Sequence, residues 1–184
     1  MIGENTSMRT VPWTRKLHDR QFERIWTEHR PRIWRLTARL AGSVDLADDL
    51  TQEVAVRACE AYGGFLGRAQ IYSWLYRIAV NVVLRSRERK SHPTVALDNP
   101  LAATHPSSAI GPDTLVVDRD FKSRVWDAID RLPEEQRAAL ILQVYEGLAY
   151  REIAIVMDVP IGTVKSRLNT AVTRLRKELG SDDM

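Results

Sequence analysis

The stretch Tyr150–Lys177, reading YREIAIVMDVPIGTVKSRLNTAVTRLRK, restricts the fold more than any other part of the chain. Two helical periods meet there with only a few residues between them. Proline lacks an N–H and is tolerated mainly in the first turn of a helix, so Asp158 and Pro160 mark a break and an immediate restart. In the second segment Val164, Leu168, Ala171, Val172, Leu175 and Leu179 recur at helical spacing and form one apolar stripe. Ile153, Ala154, Val156 and Met157 supply the inner face of the first segment, which that stripe must cover. The spacing therefore predicts a helix-turn-helix.

The other side of the second helix carries chemistry. Ser166, Asn169, Thr170 and Thr173 point away from the stripe, flanked by Lys165, Arg167, Arg174, Arg176 and Lys177, and no acid occurs between Ile161 and Lys177. Such a helix can pack on its own domain while facing phosphates. Gly162 and Thr163 open it, and the unpaired N–H groups of a helix start attract a phosphate. An ordinary hairpin with a solvated basic face would share the periodicity; the tight turn, the small Ala154 and the acid-free face favour contact with DNA.

The net charge of +3 hides a second basic region, since Ala61–Arg87 contains no acid but includes Arg68, Arg77, Arg85 and Arg87. One basic face in each half suggests two contacts with a polyanion. The single Cys59 sits among apolar helix residues, which predicts a buried small side chain and, by default, a reducing cytoplasmic setting. No apolar run approaches the roughly 20 residues that span a bilayer, so no membrane insertion is expected. His18, His29, His92 and His105 form no cluster with Cys or carboxylates at metal spacing, and no glycine-rich phosphate loop is present. Neither a metal, a cofactor nor catalysis is expected.

In chain order, residues 1–17 show no sustained period and read as a tail. Phe22, Ile25, Trp26, His29, Ile33, Leu36, Thr37 and Leu40 then mark a helix that Pro31 should kink or divide and Gly42 should end. Asp45 is the expected N-cap of the next helix, with Leu46, Leu50 and Val54 on its inner face and Ala47, Ala58 and Ala61 allowing close packing. Asp48 and Asp49 suit a first turn through the helix dipole, but Gln52 and Glu53 extend a polar, acidic surface that could receive a basic partner. A glycine-rich break, Tyr62–Gly67, carries Phe65 on what should be an exposed loop.

In the following segment, IYSWLYRIAVNVVLRSRERK, the inner stripe is Ile71, Leu75, Ile78 and Val82. Tyr72, Trp74, Tyr76, Arg77, Asn81 and Arg85 spread over its other faces, a mixture of aromatics and cations that can stack on unpaired bases while holding the backbone. His92–Val117, with Pro93, Pro100, Pro106 and Pro112, has no period and reads as a linker. Helical pattern returns at Asp120, with Phe121, Val125, Ile129 and Leu132 inside. After Pro133 comes a nearly all-apolar helix containing Ala138, Leu140, Ile141, Leu142, Val144 and Tyr145, closed by Gly147. The reading is an all-α chain: tail 1–17, helical domain 18–91, long flexible linker 92–118, helix-turn-helix domain 119–179 and tail 180–184.

Four segments, DLADDLTQEVAVRACEAYGGF, IYSWLYRIAVN, RLPEEQRAALIL and YEGLAYREIAIVMDVPIGTVKSRL, stand in this order across both halves. With them the chain resembles the extracytoplasmic-function sigma factors, the smallest members of the sigma-70 family of bacterial RNA polymerase initiation factors. The resemblance implies that the first domain is sigma region 2 and binds the clamp helices of the largest core polymerase subunit through Asp48, Asp49, Gln52 and Glu53. It further implies that the loop from Phe65 to Ile71, including Arg68 and lying near Asn81, receives a base flipped from the −10 element, with Tyr72, Trp74, Arg77 and Arg85 as further contacts. The second domain, sigma region 4, would read the −35 element through Lys165, Ser166 and Asn169, with Arg151, Thr163 and Arg167 on phosphates. An anti-sigma factor is the usual control in this family. Two departures stand out: Pro160 occupies a place where many members carry Ser, and the loop around Leu66 and Arg68 lacks the usual basic-Gly-acidic pattern. The competing reading is a dimeric helix-turn-helix regulator that binds a palindrome without polymerase. It would need a dimer face, and no long apolar heptad lies outside the two cores.

Overall fold

The structure, a computed structural model, describes residues 12–65, 67, 70–91 and 119–180. These form seven helices and no strand. In chain order they are α1 (Pro12–Ala41), α2 (Asp45–Tyr62), α3 (Ile71–Ser91), α4 (Arg119–Asp130), α5 (Glu134–Val144), α6 (Tyr150–Met157) and α7 (Ile161–Gly180). The expected linker, Leu66, Arg68 and residues 1–11 lie outside the described residues.

Helices α1, α2 and α3 pack on one another as one group. Helix α1 starts at Pro12, so residues 12–17 are helical and not part of a tail; a proline at the helix start sacrifices no intrahelical bond. Nor does Pro31 divide α1, which runs through it to Ala41 with Pro31 on the exposed side, where the missing N–H strands no buried partner. Gly42 does end the helix, at φ +67°. Asp45 is not the cap of α2: Val44 precedes the helix, Asp45 belongs to the first turn, and the Ser43 hydroxyl accepts from Leu46 N–H. The inner face is as expected for Leu50, Val54, Ala47 and Ala58, all buried, but Ala61 is exposed. Thr37 and Thr51 share a hydrogen bond of 2.9 Å in the buried seam between α1 and α2. Cys59 is exposed, contrary to expectation. Val56, one turn before it on the same face, is exposed as well, so this side of α2 faces outward.

Helices α4 to α7 form the second group, with α7 packed on α4, α5 and α6. Val164, Leu168 and Ala171 are buried, while Val172, Leu175 and Leu179 are half-buried. Burying Val164 and Leu168 stabilises the pair by roughly 1.5–3 kcal/mol each, more than helix propensity supplies. Asp158 ends α6 in the left-handed conformation, φ 56°, which Asp tolerates better than most residues. Two positions expected inside are outside: Phe121 and Val144 are exposed. Trp126, five residues after Phe121 and on a different side of the helix, takes the inner place in α4 and stacks on Tyr145 with centroids 5.1 Å apart.

The two groups are packed against each other. Helix α3 lies on α6 and α5, α1 lies on α5, and one apolar core runs through both groups from Ile33 and Leu36 to Ile141, Ile153 and Leu168. A Cβ on Gly42 would stand 2.9 Å from an Asp130 carboxylate oxygen, so glycine is required there by its φ and by the approach of α4.

Candidate nucleic-acid interface

The outer face of α7 is formed as the sequence predicts. Lys165, Ser166, Asn169, Thr170 and Thr173 are all exposed, and Arg174, Arg176 and Lys177 continue the cationic surface. Ser166 and Thr173 turn their hydroxyls back onto the Thr163 and Asn169 carbonyls, as polar residues of a helix commonly do. Thr163 is half-buried at the helix start, and Arg151 is exposed on α6. Arg167 differs from the rest: its guanidinium is mostly covered and donates to Glu135 of α5 at 2.5 Å.

Among the residues of the other expected DNA face, Asn81 and Arg85 are exposed on α3. Phe65 is half-buried and not the free loop aromatic expected, because its ring lies 5.0 Å from Trp74 and 6.4 Å from Tyr62. Ile71 and Trp74 are half-buried with it, and Phe22 closes the cluster against Tyr62 at 5.4 Å. Apolar area drives this: a lone Phe on a short loop gains by folding back onto neighbouring rings. Arg68 lies outside the described residues.

The acidic surface of α2 is present, with Asp48, Asp49 and Gln52 exposed. Asp48 accepts from the Trp34 indole at 2.9 Å, and Glu53 pairs with Arg57 one turn on.

Tyr72, Arg77 and Tyr76 do something the sequence did not suggest, since all three reach across to the second group. Tyr72 donates to Glu152, and Arg77 donates to Asp158 at 2.5 Å. Tyr76, expected on an outer face, is buried and donates to Glu146 at 2.5 Å. The Glu146 carboxylate is itself almost wholly covered and also accepts from Arg39 at 3.0 Å and Arg32 at 3.4 Å. Arg39 lies over the Tyr145 ring, 4.9 Å from its centroid. Burial pushes the Arg39 guanidinium below its ordinary value against the pull of Glu146, and pushes the Tyr76 phenol well up. Arg137, 1 % exposed, donates to Asp130 at 2.9 Å, to Glu134 and to the Leu40 carbonyl of α1. Arg87 joins the same carboxylate of Glu134 to the Leu40 and Ala41 carbonyls. Two charges interrupt the otherwise apolar run Ala138–Leu148 and its approach, Glu146 and Arg137; that interruption was the available signal for this network.

Both halves match described families: residues 25–92 match sigma-70 region 2, and residues 122–175 match sigma-70 region 4. The RNA polymerase sigma-H factor of Pseudomonas aeruginosa is 31 % identical over 97 % of this chain and 96 % of its own length. The ECF RNA polymerase sigma-E factor of Escherichia coli is 31 % identical over 91 % of each chain. Among solved structures, the sigma factor RpoE of Bartonella quintana, in complex with the anti-sigma factor NepR, matches at a TM-score of 0.64 and 26 % identity, over 88 % of this chain and 98 % of that one. Relatives similar from end to end, with both sigma regions in order, leave one assignment: the chain belongs to the ECF sigma factors of the sigma-70 family.

Proposed function

We propose that this sigma factor binds core RNA polymerase through α2 and directs it to promoters by two separate readings of DNA. The observation that carries this is the outer face of α7, exposed, polar and cationic without an acid from Ile161 to Lys177, together with the exposed Asn81 and Arg85 on α3. Lys165, Ser166 and Asn169 read base edges of the −35 element in the major groove, and Arg151, Thr163 and Arg167 hold phosphates. Arg167 must exchange Glu135 for a phosphate to do so.

Residues 18–91 take the −10 element. Unstacking a base costs a few kcal/mol, so the receiving site must return that through stacking and amide contacts. Phe65, Trp74 and Tyr72 offer rings, Asn81 an amide, Arg68, Arg77 and Arg85 cations, and Ile71 an apolar wall. Asp48, Asp49, Gln52 and Glu53 bind basic surface on the polymerase clamp. The factor initiates transcription in the cytoplasm and is held in check by an anti-sigma protein; that the Bartonella relative was solved with one supports the last point. The chemistry of RNA synthesis belongs to the core enzyme.

The test is reconstitution of sigma-free core polymerase with the purified chain on a genomic fragment library, with transcript starts sequenced. Starts preceded by shared, fixed-distance −35 and −10 motifs are the expected result. Tight binding of the chain alone to a duplex palindrome, with no transcripts, would replace this reading with the dimeric regulator.

A further inference from the structure

Arg167 stands apart from the other side chains of the −35 face. Lys165, Ser166, Asn169 and Arg151 are exposed, whereas only 17 % of the Arg167 side chain meets solvent and its Nη2 donates to Glu135 Oε2 at 2.5 Å. Glu135 shares the first turn of α5 with Glu134, yet the two acids serve different sides. Glu134 pairs with Arg87 and Arg137, while Glu135, its side chain 62 % exposed, reaches α7. Helix α7 already has an apolar attachment to α5, because Val164, Leu168 and Ala171 are buried in the core the two helices share. An ion pair with one half in water adds little to that attachment.

From this we infer that Glu135 sets the strength of −35 binding: its carboxylate occupies the seat on Arg167 that a DNA phosphate takes in the complex, so that binding exchanges one anion for another. The inference rests on the reading of Arg167 as a phosphate contact. Carboxylate and phosphate offer a guanidinium the same kind of acceptor, each matched by its fork of N–H groups. The exchange strands neither group. Once released, Glu135 still lies in the first turn of α5, where the unpaired N–H groups of a helix start favour an anion, and most of its side chain is already in water. A free cation that meets a phosphate releases a condensed counterion, whereas Arg167 arrives neutralised and leaves behind a carboxylate that gathers cation from solution. Glu135 therefore lowers affinity for duplex DNA and flattens its dependence on salt without touching a base edge. A larger share of what holds the factor on DNA then comes from Lys165, Ser166 and Asn169, the side chains that read sequence.

The experiment measures binding of the full chain to two short fluorescent duplexes across a series of salt concentrations, one of random sequence and one carrying the −35 motif mapped from transcript starts. Glu135→Gln keeps the side-chain length and an acceptor for Arg167 but removes the charge. It should tighten both duplexes about 3- to 10-fold at low salt and steepen the salt slope by up to about 0.9, at an unchanged unfolding midpoint. In an Arg167→Ala background the same substitution should change affinity by less than about twofold, because the effect belongs to the pair. A salt slope is the readout that a purely structural clip would not move. Equal or weaker affinity with an unchanged slope in Glu135→Gln would overturn the exchange and leave the pair a clip between α5 and α7. An equal gain with and without Arg167 would overturn it too, as repulsion of the duplex at a distance. If the chain starts no transcripts but Glu135→Gln still tightens the random duplex through Arg167, the promoter reading fails and the anion exchange stands.

Discussion

Arg137 and Glu146 are almost wholly removed from water, and each is held by several partners of opposite sign. A charge in that position tolerates its partners' presence far better than their loss. Replacing Arg137 with Ala leaves Asp130, Glu134 and the Leu40 carbonyl without their donor, and should destabilise the chain by about 3–5 kcal/mol in urea unfolding. Tyr76→Phe is gentler. It keeps the ring and removes one of three donors to Glu146, so a loss of about 1–3 kcal/mol is expected in the same measurement. The pair formed by Tyr72 and Glu152 gives a pH dependence of known sign. The Tyr72 hydroxyl and the Ala149 N–H hold the Glu152 carboxyl below its ordinary 4.5, so its contribution is complete above that value and is lost as pH falls through the lowered one. Glu152 in turn holds the Tyr72 phenol above its ordinary 10.0, while Ser73 and Arg32 oppose that rise, so the phenol's contribution disappears only as pH climbs through the raised value. The contribution of this pair to stability in urea should therefore be constant from about pH 5 to 9 and be lost outside that window, and Glu152→Gln should remove the loss at the acid end.

At the scale of elements, α7 separates two kinds of substitution. Leu168→Ala empties part of the core and should cost about 2–5 kcal/mol of stability, visible as a lower unfolding midpoint with DNA affinity lost only as folding is lost. Asn169→Ala should leave the midpoint alone and lower discrimination at one −35 base pair by about 1–3 kcal/mol, measured by competition between duplexes. Arg151→Ala should weaken every duplex alike and reduce the salt slope by about 0.9. The same elements show what a sequence discloses. All of α2, α3 and α5–α7 follow from periodicity, since each turns one apolar face inward, and the cationic outer face of α7 follows from what that leaves over. Periodicity assigns a residue to a side of its own helix. It does not say what the opposite side meets, and so it puts Tyr76 outside although that ring is buried with its hydroxyl on Glu146, and Phe121 inside although 46 % of it is exposed. The fate of Phe65 was illegible for a related reason, because the rings it joins come from α1, α2 and α3 together.

For the molecule as a whole, the two halves that periodicity separates at a proline-rich stretch are joined through one core and a charged seam. Amphipathic pattern foretold much of each half's interior, though not the burial of Tyr76 and Trp126 or the exposure of Phe121 and Val144. The charged part of the joint between them is made of residues that look in sequence like ordinary surface charges. One contact in that joint carries a consequence in time as well as in space. The Leu40 carbonyl, at the end of the first helix, accepts from an arginine that arrives 97 residues later. Arg87 of α3 holds the same carbonyl from within the first half, so Arg137→Ala removes one of its two arginine donors, and the amides of the last turn of α1 should trade hydrogen for deuterium faster in that variant than in the parent chain. The end of α1 thus reports, from the far side of the chain, on the integrity of the charged seam.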